Sequence, residues 1–149
     1  MRSNSLQVDL AIKAPAQKVW DFIADWEGQS EWMLQTKVFL TSEKSEGVGV
    51  TIEAFTGPLH RIYPRFKFLG VLDLMKVTRW EPPTRCDVIH YGSIIKGTGT
   101  FEVEAVNDGH SIFHWSEEIE APWLIFILIK PFILAGVLIS LARFRRLLE

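Results

Sequence analysis

The carboxy-terminal stretch APWLIFILIKPFILAGVLISLARFRRLLE, Ala121 to Glu149, constrains the fold more than any other part of the chain. From Trp123 to Ala142 the only charge is Lys130, and Arg143, Arg145 and Arg146 follow. As a helix rising ~1.5 Å per residue, this window would extend ~30 Å, the thickness of a bilayer core. It must cross a membrane or be wrapped by the rest of the domain. A lysine near the centre of a span costs ~2.5–3.5 kcal/mol on insertion. Pro131 lacks a backbone donor and biases Lys130 away from helical geometry. The reading is therefore two pieces, Trp123–Ile129 and a helix that starts with Pro131 in its first turn and runs to about Leu148. On that helix Gly136, Ser140, Arg143 and Arg146 form a narrow polar stripe. Leu134, Leu138, Leu141 and Phe144 belong to a broad apolar remainder, and the arginines suit the negative pole of the helix. Such a helix suits the grip of a sheet.

The rest of the chain supplies that sheet. Leu6, Val8, Leu10 and Ile12 alternate with polar or small residues at the period of a half-buried strand. Val19, Phe22, Ile23 and Trp26 recur at helical spacing after Pro15, predicting a helix to about Asp25, and a short second helix follows near Ser30–Leu34. Six further strands are predicted at Lys37–Thr41, Val50–Phe55, Val71–Trp80, Cys86–Tyr91, Thr98–Val106 and Ser111–Ile119. The turns between them include EPPTR and the hairpin signal Asn107-Asp108-Gly109. Helices segregated from an antiparallel meander define an α+β class with helices on one face. The alternation also assigns inner faces: Cys86, Val88 and His90; Phe101, Val103 and Ala105; Phe113, Trp115, Glu117 and Ile119; and Met75 and Val77 together with Arg79. Ionisable groups thus end otherwise apolar rows.

A chain of 149 residues is read as one domain, 1–149, with 48% hydrophobic and 23% charged residues. A net charge of −2 gives no electrostatic reason to expect nucleic acid. One cysteine, Cys86, excludes an intrachain disulfide and a multi-cysteine zinc site. The amino terminus lacks an apolar run of signal-peptide length, and a cytoplasmic location is expected. His110 and His114 have no evident carboxylate or cysteine cluster, so no metal and no cofactor is expected. Gly47-Val48-Gly49 and Gly97-Thr98-Gly99 lack the strand–turn–helix setting of a nucleotide fingerprint and read as strand-edge glycines. Ser116 and Cys86 lack the context of a hydrolase nucleophile.

Four stretches resemble one family: IKAPAQKVWDFIADW at Ile12–Trp26, MKVTRWEPPTRC at Met75–Cys86, GTGTFEV at Gly97–Val103 and FHWSEE at Phe113–Glu118. They are similar to the polyketide cyclase/dehydrase and lipid transport family of the START-like, or SRPBCC, superfamily. The resemblance implies a helix-grip fold, a curved sheet of about seven strands around a long carboxy-terminal helix with two short helices after the first strand. It also implies a deep apolar cavity between sheet and helix, with Gly57–Gly70 as a loop over its mouth.

In such a cavity the ligand-binding candidates are Val8, Leu10, Phe55, Met75, Val77, Val88, His90, Phe101, Val103, Phe113, Trp115, Glu117, Leu134 and Leu138. Glu117 between Trp115 and Ile119 is either a ligand-orienting or acid/base group, or a strand-end residue that meets solvent or a basic partner. Arg79 is expected to pair with Glu117 or Asp73, and His90 to be hydrogen-bonded at a strand end or to act in the cavity. Glu117, His90 and Arg79 are the catalytic candidates. The expected function is binding or carriage of a hydrophobic small molecule, such as a lipid, isoprenoid or polyketide-like compound. The alternatives are a cyclase or dehydratase using the same polar groups, and a protein-interaction module. Trp123–Ile129 is expected to pack as core or to serve as a gate or docking surface for a membrane, a partner or a second subunit.

Overall fold

The computed structural model describes residues 3–149. In chain order it contains β1 (Ser3–Ile12), α1 (Ala16–Ala24), a 3-10 helix (Glu27–Glu31), β2 (Thr36–Leu40) and β3 (Thr51–Thr56). After two 3-10 turns, His60–Ile62 and Lys67–Leu69, come β4 (Val71–Glu81), β5 (Arg85–Tyr91), β6 (Lys96–Asn107), β7 (His110–Glu120) and α2 (Trp123–Leu148). The strands form one antiparallel seven-stranded sheet in the order β1-β7-β6-β5-β4-β3-β2. This is the helix-grip α+β architecture.

The cross-strand register makes a continuous inner face from the apolar rows. Leu10 pairs with Phe113, and Phe113 with Val103; Val8 pairs with Trp115, and Trp115 with Phe101. Val19, Trp20 and Ile23 of α1 are buried against this face. Trp80 receives Trp20 edge-on at 5.1 Å and Trp26 at 6.2 Å. At the far end of α2, Phe144 is fully buried among Trp32, Phe113 and Phe22, with ring centroids 4.9, 5.2 and 5.5 Å away.

Two expectations need correction, on the tail and on the Gly57–Gly70 segment. The tail is one helix of 26 residues with Pro131 inside it. Proline removes only the hydrogen bond from its own position to the Ile127 carbonyl, and the bonds of the flanking turns carry the helix through. Ser140 of the polar stripe is buried, its Oγ donating to the Gly136 carbonyl and accepting from the Leu34 amide at 2.8 and 2.9 Å. Finally, Tyr63 of the Gly57–Gly70 segment folds onto the sheet's outer face, stacked on Phe55 and Phe39 at 4.5 and 5.5 Å.

Candidate functional site

Strand pairing brings three ionisable groups together on the inner face near one end of the sheet. Asp73 lies on β4, His90 on β5 and Glu117 on β7. His90 Nδ1–H donates to Asp73, 2.8 Å from Oδ1 and 2.9 Å from Oδ2. On the other side of the ring, Nε2 stands 2.8 Å from Glu117 Oε2. That approach lies off the N–H direction, so it is a close ionic contact rather than an aligned hydrogen bond. The side chains of His90, Glu117 and Asp73 are 5%, 14% and 16% exposed.

β6 lies between His90 and Glu117, and neighbouring strands are ~4.8 Å apart, so the contact spans ~10 Å of sheet. It is open because the intervening inner positions are glycines. Gly97 pairs with His90, and Gly99 pairs with both Val88 and Glu117. A Cβ on Gly99 would come within 3.0 Å of Glu117 Oε1 and 3.2 Å of Val88 Cγ2. These glycines are therefore not strand-edge features: they clear the floor on which the histidine and carboxylate meet. Their signal in the sequence is two glycines at i and i+2 on one face of an otherwise side-chain-rich strand.

The electrostatics follow from this geometry. Burial works against a charge on His90, but the facing carboxylates of Asp73 and Glu117 outweigh it and raise its pKa from 6.5 to about 10. Burial pushes the Glu117 carboxyl above its ordinary range, His90 opposes the rise and the like charge of Asp73 adds to it. The cluster is thus a histidinium held between two acidic groups. Because the folded pKa of His90 is raised, its contribution to stability is complete below about pH 6.5 and is lost as pH rises through about 10. Glu117 is shifted in the same direction, so its contribution also falls with rising pH. The stability gap between wild type and His90→Gln, read from urea midpoints, is expected to narrow from pH 6.5 to pH 10. A gap independent of pH across that window would contradict this assignment.

Of the other candidates, Val77, Val88, Val103, Phe113 and Trp115 are buried on the inner face. Val8, Leu10, Met75, Phe101 and Leu134 are half-buried against the same core. Three candidates stand elsewhere. Arg79 lies on the outer face and pairs with Glu81 at 3.0 Å, because a bulge between Val77 and Arg79 reverses the alternation and turns Trp80 inward. Phe55 shares the outer face with Lys37, its cross-strand partner. Leu138 is 53% exposed. Asp73 takes the place given to Arg79; it belongs to the inner row with Met75, where the alternation locates it.

A second histidine lies on the outer face between carboxylates: His114 Nδ1 is 2.7 Å from Asp9 and Nε2 is 3.0 Å from Glu104. His110 does not join it, bonding instead to Asn107 in the hairpin turn. Among the described residues no group of three or more His, Cys, Asp or Glu side chains converges to hold a metal. Burial pushes the Cys86 thiol up to about 12, which removes it as a thiolate nucleophile. Two surface depressions of about 490 and 640 Å³ lie away from the cluster, one beside Arg85 and His114 and the other beside Lys13 and Arg145.

No curated protein sequence matches the chain. Among solved structures, a START superfamily protein from Mycobacterium smegmatis superposes with a TM-score of 0.75 at 8% identity, covering 97% of this chain and 99% of that one. The Zhui aromatase/cyclase from Streptomyces sp. R1128 gives 0.71 at 12% identity, covering 96% and 92%. The Aha1 dimer from Colwellia psychrerythraea gives 0.69 at 18% identity, covering 98% and 96%. Likeness at such low identity establishes the fold and leaves activity open. The sequence profile described as polyketide cyclase / dehydrase and lipid transport matches residues 4–149, nearly the whole chain, so this protein belongs to that family.

Proposed function

We propose that the protein binds a hydrophobic small molecule, of lipid, isoprenoid or polyketide-like character, between the inner face of the sheet and α2. One observation carries this reading: a buried ionic cluster ends an apolar face on which some side chains are only partly covered. Met75, which pairs with His90, and Phe101, which pairs with Trp115, are half-buried although they point between sheet and helix. Apolar contact at ~25 cal/mol per Å² would supply the affinity. Glu117 and the histidinium would orient a hydroxyl or carbonyl at the polar end of the ligand. Family membership supports the same reading, since lipid transport and polyketide chemistry both handle apolar molecules.

A second reading, a cyclase or dehydratase, draws on the raised pKa of Glu117, a property of groups that exchange protons in catalysis. His90 is poorly suited to act as a base there, because both its nitrogens already face carboxylates. Native mass spectrometry of the purified protein, with uptake of a pyrene-labelled fatty acid, tests the binding reading. A bound apolar adduct or saturable uptake is expected, and Glu117→Gln is expected to weaken uptake of a probe with a polar head by about tenfold. Neither adduct nor uptake would count against both readings. Turnover of a poly-β-ketone that is lost in Glu117→Gln would favour the enzyme.

A further inference from the structure

The three chain connections at the cluster end of the sheet share an unusual surface. The β3–β4, β5–β6 and β7–α2 connections all leave the end at which Thr56 pairs with Val71, Tyr91 with Lys96 and Glu120 with Ser3. Each presents large apolar side chains to solvent. Phe68, Ile94, Leu124, Leu128 and Phe132 are 66–79% exposed. The helix is long and apolar enough to cross a membrane, yet its most apolar stretch is only 17% buried. Soluble surfaces rarely leave so much apolar area together without a partner.

The charge on these segments indicates the partner. Residues 57–70, 92–96 and 123–139 contain Arg61, Arg65, Lys67, Lys96 and Lys130, and no Asp or Glu; Glu120, the last residue of β7, is an acidic residue at their border. The rest of the chain keeps 11 of the 16 Lys and Arg against all 18 Asp and Glu. Among the described residues, none of the five cations forms an ion pair with a carboxylate. An acidic protein has thus collected unpaired cations among exposed aromatic and aliphatic side chains at one end. A second copy docked there about a two-fold axis would set these cations against their own counterparts. Anionic lipid headgroups would complement them while the acyl boundary accepts the apolar side chains.

We infer that this end of the protein docks on the surface of an anionic lipid bilayer, with the first half of α2 lying in the interface. The helix does not cross the bilayer. Ser140, Leu141, Phe144 and Leu148 hold its second half in the core. Lys18 Nζ donates to the Leu148 carbonyl at 3.0 Å, and Glu149 accepts from the Lys13 amide at 3.0 Å. The portion with most of the exposed side chains, residues 123–139, is ~25 Å long, short of a bilayer core, and Phe126 anchors it to the core. Asp73, His90 and Glu117 sit within a few residues of the same end, so docking places the candidate site beside the membrane. The inference goes beyond the ligand-binding reading and stands if that reading fails.

Vesicle flotation tests it, with phosphatidylcholine alone or mixed with phosphatidylglycerol and no other ligand. Wild type is expected to float with the mixed vesicles and to be released by high salt. Leu128→Asp with Phe132→Asp is expected to reduce binding at least ~10-fold, since each side chain loses the burial that docking provides. Both positions are exposed, so the thermal midpoint should not fall. Arg65→Glu with Lys67→Glu is expected to abolish the preference for mixed vesicles. Absence of flotation, or equal flotation of the aspartate variant, overturns the inference. Retention on vesicles through alkaline carbonate extraction overturns it in favour of a spanning helix. A solution dimer that the aspartate variant dissociates, without vesicle binding by wild type, overturns it in favour of a second copy.

Discussion

His90→Ala is expected to destabilise the fold by about 3–5 kcal/mol near neutral pH, the cost of leaving buried charge without its partner. The imidazole is the cation between Asp73 and Glu117 and approaches each within 2.8 Å. Without it, two carboxyl groups 16% and 14% exposed share a pocket with no counter-charge, and one must take up a proton. Glu117→Gln should cost less, about 1–2 kcal/mol, because Asp73 still neutralises the histidinium. In His90→Ala, adding Glu117→Leu should recover part of the loss by removing the orphaned carboxylate. Urea unfolding of His90→Ala, Glu117→Leu and the double variant gives the coupling energy. Strict additivity would show that His90 and Glu117 do not act as a unit.

Gly97→Ala is the other large effect, expected to cost about 3 kcal/mol or more. Gly97 has φ +140°, a conformation that side-chain-bearing residues rarely adopt, and its added Cβ would fall 1.8 Å from the Glu118 carbonyl oxygen. That oxygen belongs to backbone in the β6–β7 ladder, where Gly97 pairs with Ile119 and Thr98 with Glu118. Relief would require the ladder to open. Gly99→Ala should behave differently, because its neighbours are the ends of the Glu117 and Val88 side chains at 3.0 and 3.2 Å. About 1 kcal/mol of stability should be lost there. Displacing Glu117 should also lower the pKa of His90, which an NMR titration of the imidazole would detect. A Gly97→Ala variant within about 0.5 kcal/mol of wild type would contradict the strain argument.

The strands and their inward residues were legible because alternation is a local property. Each of the six runs read from Lys37 to Ile119 corresponds to a strand, with ends displaced by at most two residues. The site was partly legible. Glu117 and His90 stood out as charged or polar groups on apolar rows, and the structure brings both into one cluster. Arg79 failed because one bulged residue between it and Val77 exchanges the faces of β4, and a bulge depends on pairing with β5 rather than on the sequence of β4 alone. Phe55 failed for a related reason. Its burial comes from Tyr63 on the outer face, a contact that period-two alternation does not encode.

The tail shows the same division. Its lack of charge determined a helix that needs an apolar partner, but the proline suggested a break that is absent. A proline's local cost of ~3 kcal/mol can be outweighed by a helix whose second half is locked into a core. By itself, then, the sequence determined the fold class, the strand order along the chain and the inward residues of most strands, because these follow from periodicity and turn chemistry. Only the tertiary structure decided that His90 reaches Glu117 across a glycine floor, that Asp73 replaces Arg79 as partner, and that much of the apolar first half of α2 stays exposed. Those outcomes depend on register between strands distant in the chain, and on which surfaces remain uncovered once the core has closed.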